Sequence, residues 1–141
     1  MSEPNKVKSP IFVRPKVDLK QFRVIFYLKA LNQFVAYHKF KMETVESAIK
    51  LMSKCGYMSS MDLRDAYYSI PIAPEFRKYL RFIWREQMSQ FTALPMGLSS
   101  SPRIFTKVLK PVFATFRCLF GYSCLGYIDD SFYTEDTLHR F

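Results

Sequence analysis

The alternation of apolar and polar positions divides the chain into short strands and two longer helical stretches. IFVRP (Ile11–Pro15) and FRVIFYL (Phe22–Leu28) read as strands joined by the turn-like KVDLKQ. Thr44 is placed to cap a helix over Val45–Lys54, with Val45, Ile49 and Met52 on one face and Gly56 as its stop. Tyr57–Leu63 predicts a buried strand that ends at Asp62. Leu80, Phe82 and Trp84 keep a period of two within Tyr79–Trp84, and Ser89–Leu94 follows closely enough to complete a hairpin. Pro95, Gly97 and Ser99–Ser101 interrupt the pattern. Ser100 or Ser101 then caps a helix with Pro102 near its first position and Ile104, Val108 and Val112 at intervals of four. Pro111 predicts a kink in that helix and Gly121 its end. Tyr122–Ile128 and Ser131–Thr134 predict two last strands, with Asp129 and Asp130 as the tight turn between them. Hairpins mixed with helices indicate an α+β domain.

Three acidic residues stand out against this pattern. Asp62, Asp129 and Asp130 each lie at the edge of an otherwise apolar stretch. An ionised carboxylate buried without a partner costs several kcal/mol, and a neighbouring carboxylate adds to the cost. The pattern therefore predicts a cation at that place, and all-oxygen ligation suits Mg²⁺ or Mn²⁺. Consecutive residues on a flat strand point to opposite faces, whereas a hairpin turn can present both at one end of a sheet. If the strand ending at Asp62 is a neighbour, all three carboxylates converge.

Composition narrows the class. A chain of 141 residues with 49% apolar and 17% aromatic residues fits one globular domain. The net charge of +9 favours a polyanionic partner such as nucleic acid, or an anionic surface. Cys55, Cys118 and Cys124 are odd in number and lack metal-ligand spacing, which fits a reducing compartment. The N-terminal MSEPNKVKSP has no apolar segment of the signal-peptide kind. Pro111–Ile128 is mostly apolar, but Arg117, Gly121 and Gly126 interrupt it, so a helix passing into a strand explains it better than a membrane span. These features predict an intracellular protein, cytoplasmic or nuclear, that is not secreted.

Four segments, taken in order, resemble one family. SPIFVRPK…FRVIFYLKALN resembles the fingers hairpin of retroelement polymerases, and MDLRDAYYSIPI followed by RKYLRF resembles their first catalytic motif. LPMGLSSSPRIF resembles the segment that meets nucleotide and template, and YIDD (Tyr127–Asp130) the tyrosine-x-Asp-Asp box. A four-residue box alone is weak; four motifs in this order and spacing are specific. The chain is thus similar to the fingers and palm of a reverse transcriptase from about Ser9 to Thr134. GLSSSPRIFTKVLKPV and GYIDDS are most similar to DIRS-type retrotransposons.

The resemblance implies a right-hand polymerase fold without a thumb: fingers plus a partial palm, in which an antiparallel sheet is backed by helices. Residues 1–56 would be mostly fingers, 57–70 and 95–141 mostly palm, and 71–94 a fingers insertion. It implies an RNA-directed DNA polymerase that adds deoxynucleotides to a primer 3′-hydroxyl on an RNA or DNA template. Asp62 and Asp129 would bind two Mg²⁺ or Mn²⁺ ions, with Asp130 nearby and the Leu63 carbonyl as a further ligand. The ions would activate the primer hydroxyl and stabilise the leaving pyrophosphate. Lys16 and Arg23 correspond to fingers residues that hold the triphosphate of the incoming dNTP. Tyr67 falls at the position of an aromatic gate that excludes a ribose 2′-hydroxyl, and Tyr68 reads as core. Met96 and Gly97 would face the nucleotide, and Ser101, Pro102, Tyr127 and Ile128 the template and primer.

Met96 departs from retroviral relatives, which often carry glutamine there, and Tyr27 stands where many carry an acid. Asp65 is read as capping a turn and Trp84 as core; His38 and His139 lack partners at ligand spacing. The later palm strands, thumb and RNase H expected in the same polyprotein would be missing, so the chain is read as truncated and weak or inactive alone. The alternative is a non-catalytic nucleic-acid-binding remnant of a decayed element. An RNA-templated RNA polymerase ranks third.

Overall fold

A computed structural model of the chain describes residues 8–16, 21–121 and 123–135. Most of the lead-in, the interior of the first turn, Tyr122 and His139 lie outside them. By internal contacts the chain forms two compact units, one of residues 1–38 and 67–101, the other of residues 39–66 and 102–141.

The first unit opens with an antiparallel hairpin, β1 (Ile11–Pro15) and β2 (Phe22–Phe26), in which Arg14 faces Arg23 and Ile11 faces Phe26. A short helix α1 (Lys29–Asn32) follows. A second hairpin, β4 (Arg81–Trp84) and β5 (Gln87–Gln90), turns at Arg85 and Glu86. Both turn residues have positive φ, 48° and 65°, as a two-residue loop matched to strand twist requires. Phe26, Leu28 and Leu80 form the buried core, surrounded by Ile11, Leu31, Ile72, Phe82, Phe91 and Leu98. Full burial of each of the three is worth about 1.5–3 kcal/mol. The Phe26 ring stacks on Phe91 at 4.8 Å and meets Phe82 edge-on at 5.8 Å.

The second unit holds helix α2 (Val45–Leu51) and a three-stranded antiparallel sheet of β3 (Tyr57–Asp62), β6 (Ser123–Tyr127) and β7 (Asp130–Glu135), in the order β3-β7-β6. The long helix α3 (Ser101–Phe120) backs this sheet. Arg117 donates to the Cys124 carbonyl at 3.2 Å, the Phe116 ring meets Tyr133 at 6.0 Å, and Gly126 lies directly against the Phe113 ring. Burial pushes the Cys124 thiol up, with Arg117 pulling the other way. The α+β class and the helix-backed antiparallel sheet therefore hold.

Several local expectations do not. The strand ending at Asp62 is exposed at every position, because β3 is an edge strand flanked only by β7. Helix α2 stops at Leu51, since Met52 is extended (φ −73°, ψ 124°), and Val45 on its supposed inner face is 76% exposed. The Thr44 cap is present, accepting from the Ser47 amide at 3.2 Å. Pro111 lies inside α3, which continues through it: its missing N–H removes one helical bond and the twenty-residue helix runs on to Phe120. Gly121, at φ +71°, follows the last helical turn. Strand β5 ends at Gln90, short of Leu94, and β7 already begins at Asp130. Tyr68 and Trp84 are not core: they are 37% and 44% exposed, Tyr68 stacking on Phe91 and Trp84 lying under the Arg85 guanidinium.

Candidate active site

The end of the three-stranded sheet brings the acidic residues together. Asp62, the last residue of β3, lies directly opposite Asp130, the first of β7. Residues opposed in an antiparallel pair project to the same face, and like charges there are destabilising. Tyr127 faces Asp130 across the other ladder, which leaves Ile128 and Asp129 as a two-residue turn. The Leu63 amide donates to the Asp129 carbonyl at 2.9 Å and fastens the end of β3 to that turn.

The turn is strained. Ile128 has φ +56° whereas Asp129 does not, the pattern of a primed turn whose first central position favours glycine. A β-branched residue in that region is an outlier costing about 1–3 kcal/mol. A two-residue connection between Tyr127 and Asp130 would have revealed this from sequence. Beside it, Gly126 leaves no room for a side chain against Phe113, so helix α3 and the turn-bearing strand approach closely.

The premise of buried carboxylates is corrected. Asp62 and Asp130 are exposed and Asp129 is half-buried, because they occupy the open end of the sheet and not its interior. Nor do the three converge into a complete ligand cluster: among the described residues, no three acidic, histidine or cysteine groups lie close enough to hold a metal ion by themselves. Two opposed carboxylates share a face and the third sits on the turn. The donor chemistry nonetheless fits a hard divalent cation. All donors are oxygen, and Asp65, beside Arg64 at 3.7 Å, is not among them. Magnesium is commonly held by one or two carboxylates with substrate phosphates completing its sphere. The face bearing Asp130 also opens onto a cleft of about 560 Å³ lined by Tyr127, Leu125, Phe132 and Val45.

The remaining sequence-derived residues lie in the first unit, apart from Pro102. Lys16 and Arg23 are exposed on the β1–β2 hairpin, Lys16 donating to the Gln21 side chain at 3.2 Å. Arg14, to which sequence reasoning gave no specific role, opposes Arg23 on the same face, and Lys16 follows directly after β1. Gly97 has φ +95°, and a Cβ there would lie 2.7 Å from the Phe26 carbonyl oxygen at the hairpin's base. Glycine is thus required twice over. Met96 is exposed beside it. Tyr67 is only 8% exposed, on a 3₁₀ turn (Ala66–Ser69). Ser101 does not act as a simple helix cap: fully buried, its hydroxyl donates to the Pro95 carbonyl at 2.8 Å. Pro102 follows as the second residue of α3. The structure also shows Asn32 bonded to both sides of the Gly97 loop, a contact with no local sequence signal.

Comparison with known proteins agrees with this geometry. Residues 12–140 match the family described as reverse transcriptase (RNA-dependent DNA polymerase). The chain is 32% identical over 130 residues to the Pol polyprotein of equine infectious anemia virus (strain Wyoming), covering 82% of this chain and 11% of that protein. It is 23% identical over 126 residues to a retrovirus-related Pol polyprotein from transposon 297 of Drosophila melanogaster, covering 86% of this chain and 12% of that protein. The chain thus spans about a tenth of the length of these relatives. Among solved structures it superposes on the prototype foamy virus protease-reverse transcriptase with a TM-score of 0.78 at 21% identity, over 92% of this chain and 17% of that one. A foamy viral protease-reverse transcriptase in complex with double-stranded DNA gives 0.78 at 24% identity, over 94% of this chain and 22% of that one. The architecture is accordingly the right-hand polymerase fold of fingers and palm, and with a family match over nearly its whole length, this chain belongs to the reverse transcriptases.

Proposed function

We propose that the chain carries the nucleotidyl-transfer site of an RNA-directed DNA polymerase, acting on a primed RNA or DNA template with dNTPs. The observation that carries this reading is the register that opposes Asp62 and Asp130 beside the Ile128–Asp129 turn. Asp62, Asp129 and Asp130, with the Leu63 carbonyl, would hold two Mg²⁺ or Mn²⁺ ions. Such ions, when bound, supply Lewis acidity to the primer hydroxyl and to the phosphates. The Leu63–Asp129 bond fixes the spacing of the two acidic strands.

Arg14 and Arg23 present cations on one hairpin face, with Lys16 just past β1, suited to charge-assisted hydrogen bonds with a triphosphate. Tyr67 is assigned to the sugar gate, and its buried ring supports a rigid wall. Met96 and Gly97 are assigned to the nucleotide, and Ser101, Pro102, Tyr127 and Ile128 to template and primer. The complexes of foamy viral relatives with double-stranded DNA and RNA/DNA hybrid support a nucleic-acid partner. The serine-rich loop and the GYIDDS context support a DIRS-type retrotransposon origin.

The test is primer extension on a primed RNA template with Mg²⁺ and dNTPs, by the chain extended to include a thumb. Wild type is expected to extend and Asp129→Asn to fail. Equal activity in both would sink the assignment.

A further inference from the structure

We infer that Asn32 is a positioning residue, which holds the Met96–Gly97 loop in the conformation that receives the unpaired template strand and the nucleotide. This rests on the polymerase reading of that loop. The Asn32 side chain uses both ends of its amide. Its Nδ2 donates to the Gly97 carbonyl at 2.9 Å, and its Oδ1 accepts from the Ser99 amide at 2.9 Å. The partners lie 65 and 67 residues away in sequence, within the same compact unit.

The loop cannot hold this shape alone. Gly97 sits at φ +95° with its α-carbon against the Phe26 carbonyl, so the backbone is pressed onto the end of β2 from one side. Asn32, at the end of α1, grips it from the other. On either side of the loop, Leu94 and Ser101 are buried and anchored, Leu94 donating its amide to the Ile70 carbonyl at 2.8 Å. Met96 stays exposed between these anchors. The clamp therefore ties the loop to the chain that leaves the cationic hairpin.

Asparagine is the fitting residue. Aspartate keeps the acceptor for Ser99 but loses the donor and turns a negative charge toward the Gly97 carbonyl. Alanine loses both bonds. The two variants separate the halves of the clamp.

The experiment measures hydrogen exchange at the Ser99 amide of the 141-residue chain, and the binding of the chain extended to include a thumb to a primer–template with a 5′ single-stranded template overhang or with a blunt end. Asn32→Ala is expected to speed Ser99 exchange by about five- to tenfold, whereas Asn32→Asp retains most of the protection. Both variants are expected to weaken binding of the overhang substrate by about tenfold and to leave the blunt duplex within about twofold. Unchanged Ser99 exchange in Asn32→Ala overturns the clamp while leaving the polymerase reading intact. Faster exchange with equal losses on both substrates, or with none, overturns the positioning role. A wild-type chain that binds neither substrate overturns the polymerase reading, and the role with it.

Discussion

The β1–β2 hairpin and the end of the β3–β7–β6 sheet are built on the same device with opposite charge. In the hairpin Arg14 opposes Arg23; at the sheet end Asp62 opposes Asp130. Each is a like-charge cross-strand pair, an arrangement that costs stability in the free chain. Neither region hides its charges: all four residues are exposed. A bound polyanion would relieve the first pair and a bound cation the second. The comparison teaches that both places keep a like-charge pair at a cost to the chain's own stability, which suits the binding roles proposed for them.

Breaking the acidic pair has the largest expected effect. Asp62→Asn should lower primer extension by on the order of a hundredfold or more, read as single-turnover rate with saturating dNTP. Breaking the basic pair acts on nucleotide capture: Arg23→Gln should raise the KM for dNTP by about tenfold with a smaller change in kcat. Stability should move the other way. In chelator-treated samples, Asp130→Asn should raise the unfolding free energy by about 0.2–1 kcal/mol, measured by urea denaturation, because the opposed charges are gone. Arg14→Glu sharpens the point: an opposite-charge pair with Arg23 should stabilise the hairpin by a similar few tenths of a kcal/mol while weakening nucleotide binding. The smallest effect is ionic. These stability gains should shrink as salt rises from about 0.05 to about 0.5 M, since exposed charges are screened over a shorter distance.

Much of this was legible in the sequence. The apolar runs placed β1, β2 and β4 to within a few residues, whereas the turn fell one residue before the expected Asp129–Asp130 pair, at Ile128–Asp129. Burial was less legible: β3 reads as a core strand because Tyr57, Met58 and Met61 are apolar, yet it forms the sheet's edge. An apolar run signals a strand, not what covers it. The same limit applies to Trp84 and to Val45, where local pattern says nothing of a second layer. Within the candidate site, identities were readable and pairings were not. Asp62 and Asp130 become partners only through a register that joins strands about half the chain apart, and Asn32 meets Gly97 and Ser99 through the fold alone.

Under the proposed function the opposed carboxylates hold divalent cations. Mn²⁺ binding in the presence of a dNTP, followed by electron paramagnetic resonance, tests it most directly. Wild type should bind Mn²⁺ that Mg²⁺ displaces, and Asp62→Asn combined with Asp130→Asn should leave only the signal of the free manganese–nucleotide complex. Equal protein-bound Mn²⁺ in the wild type and the double variant would contradict the account.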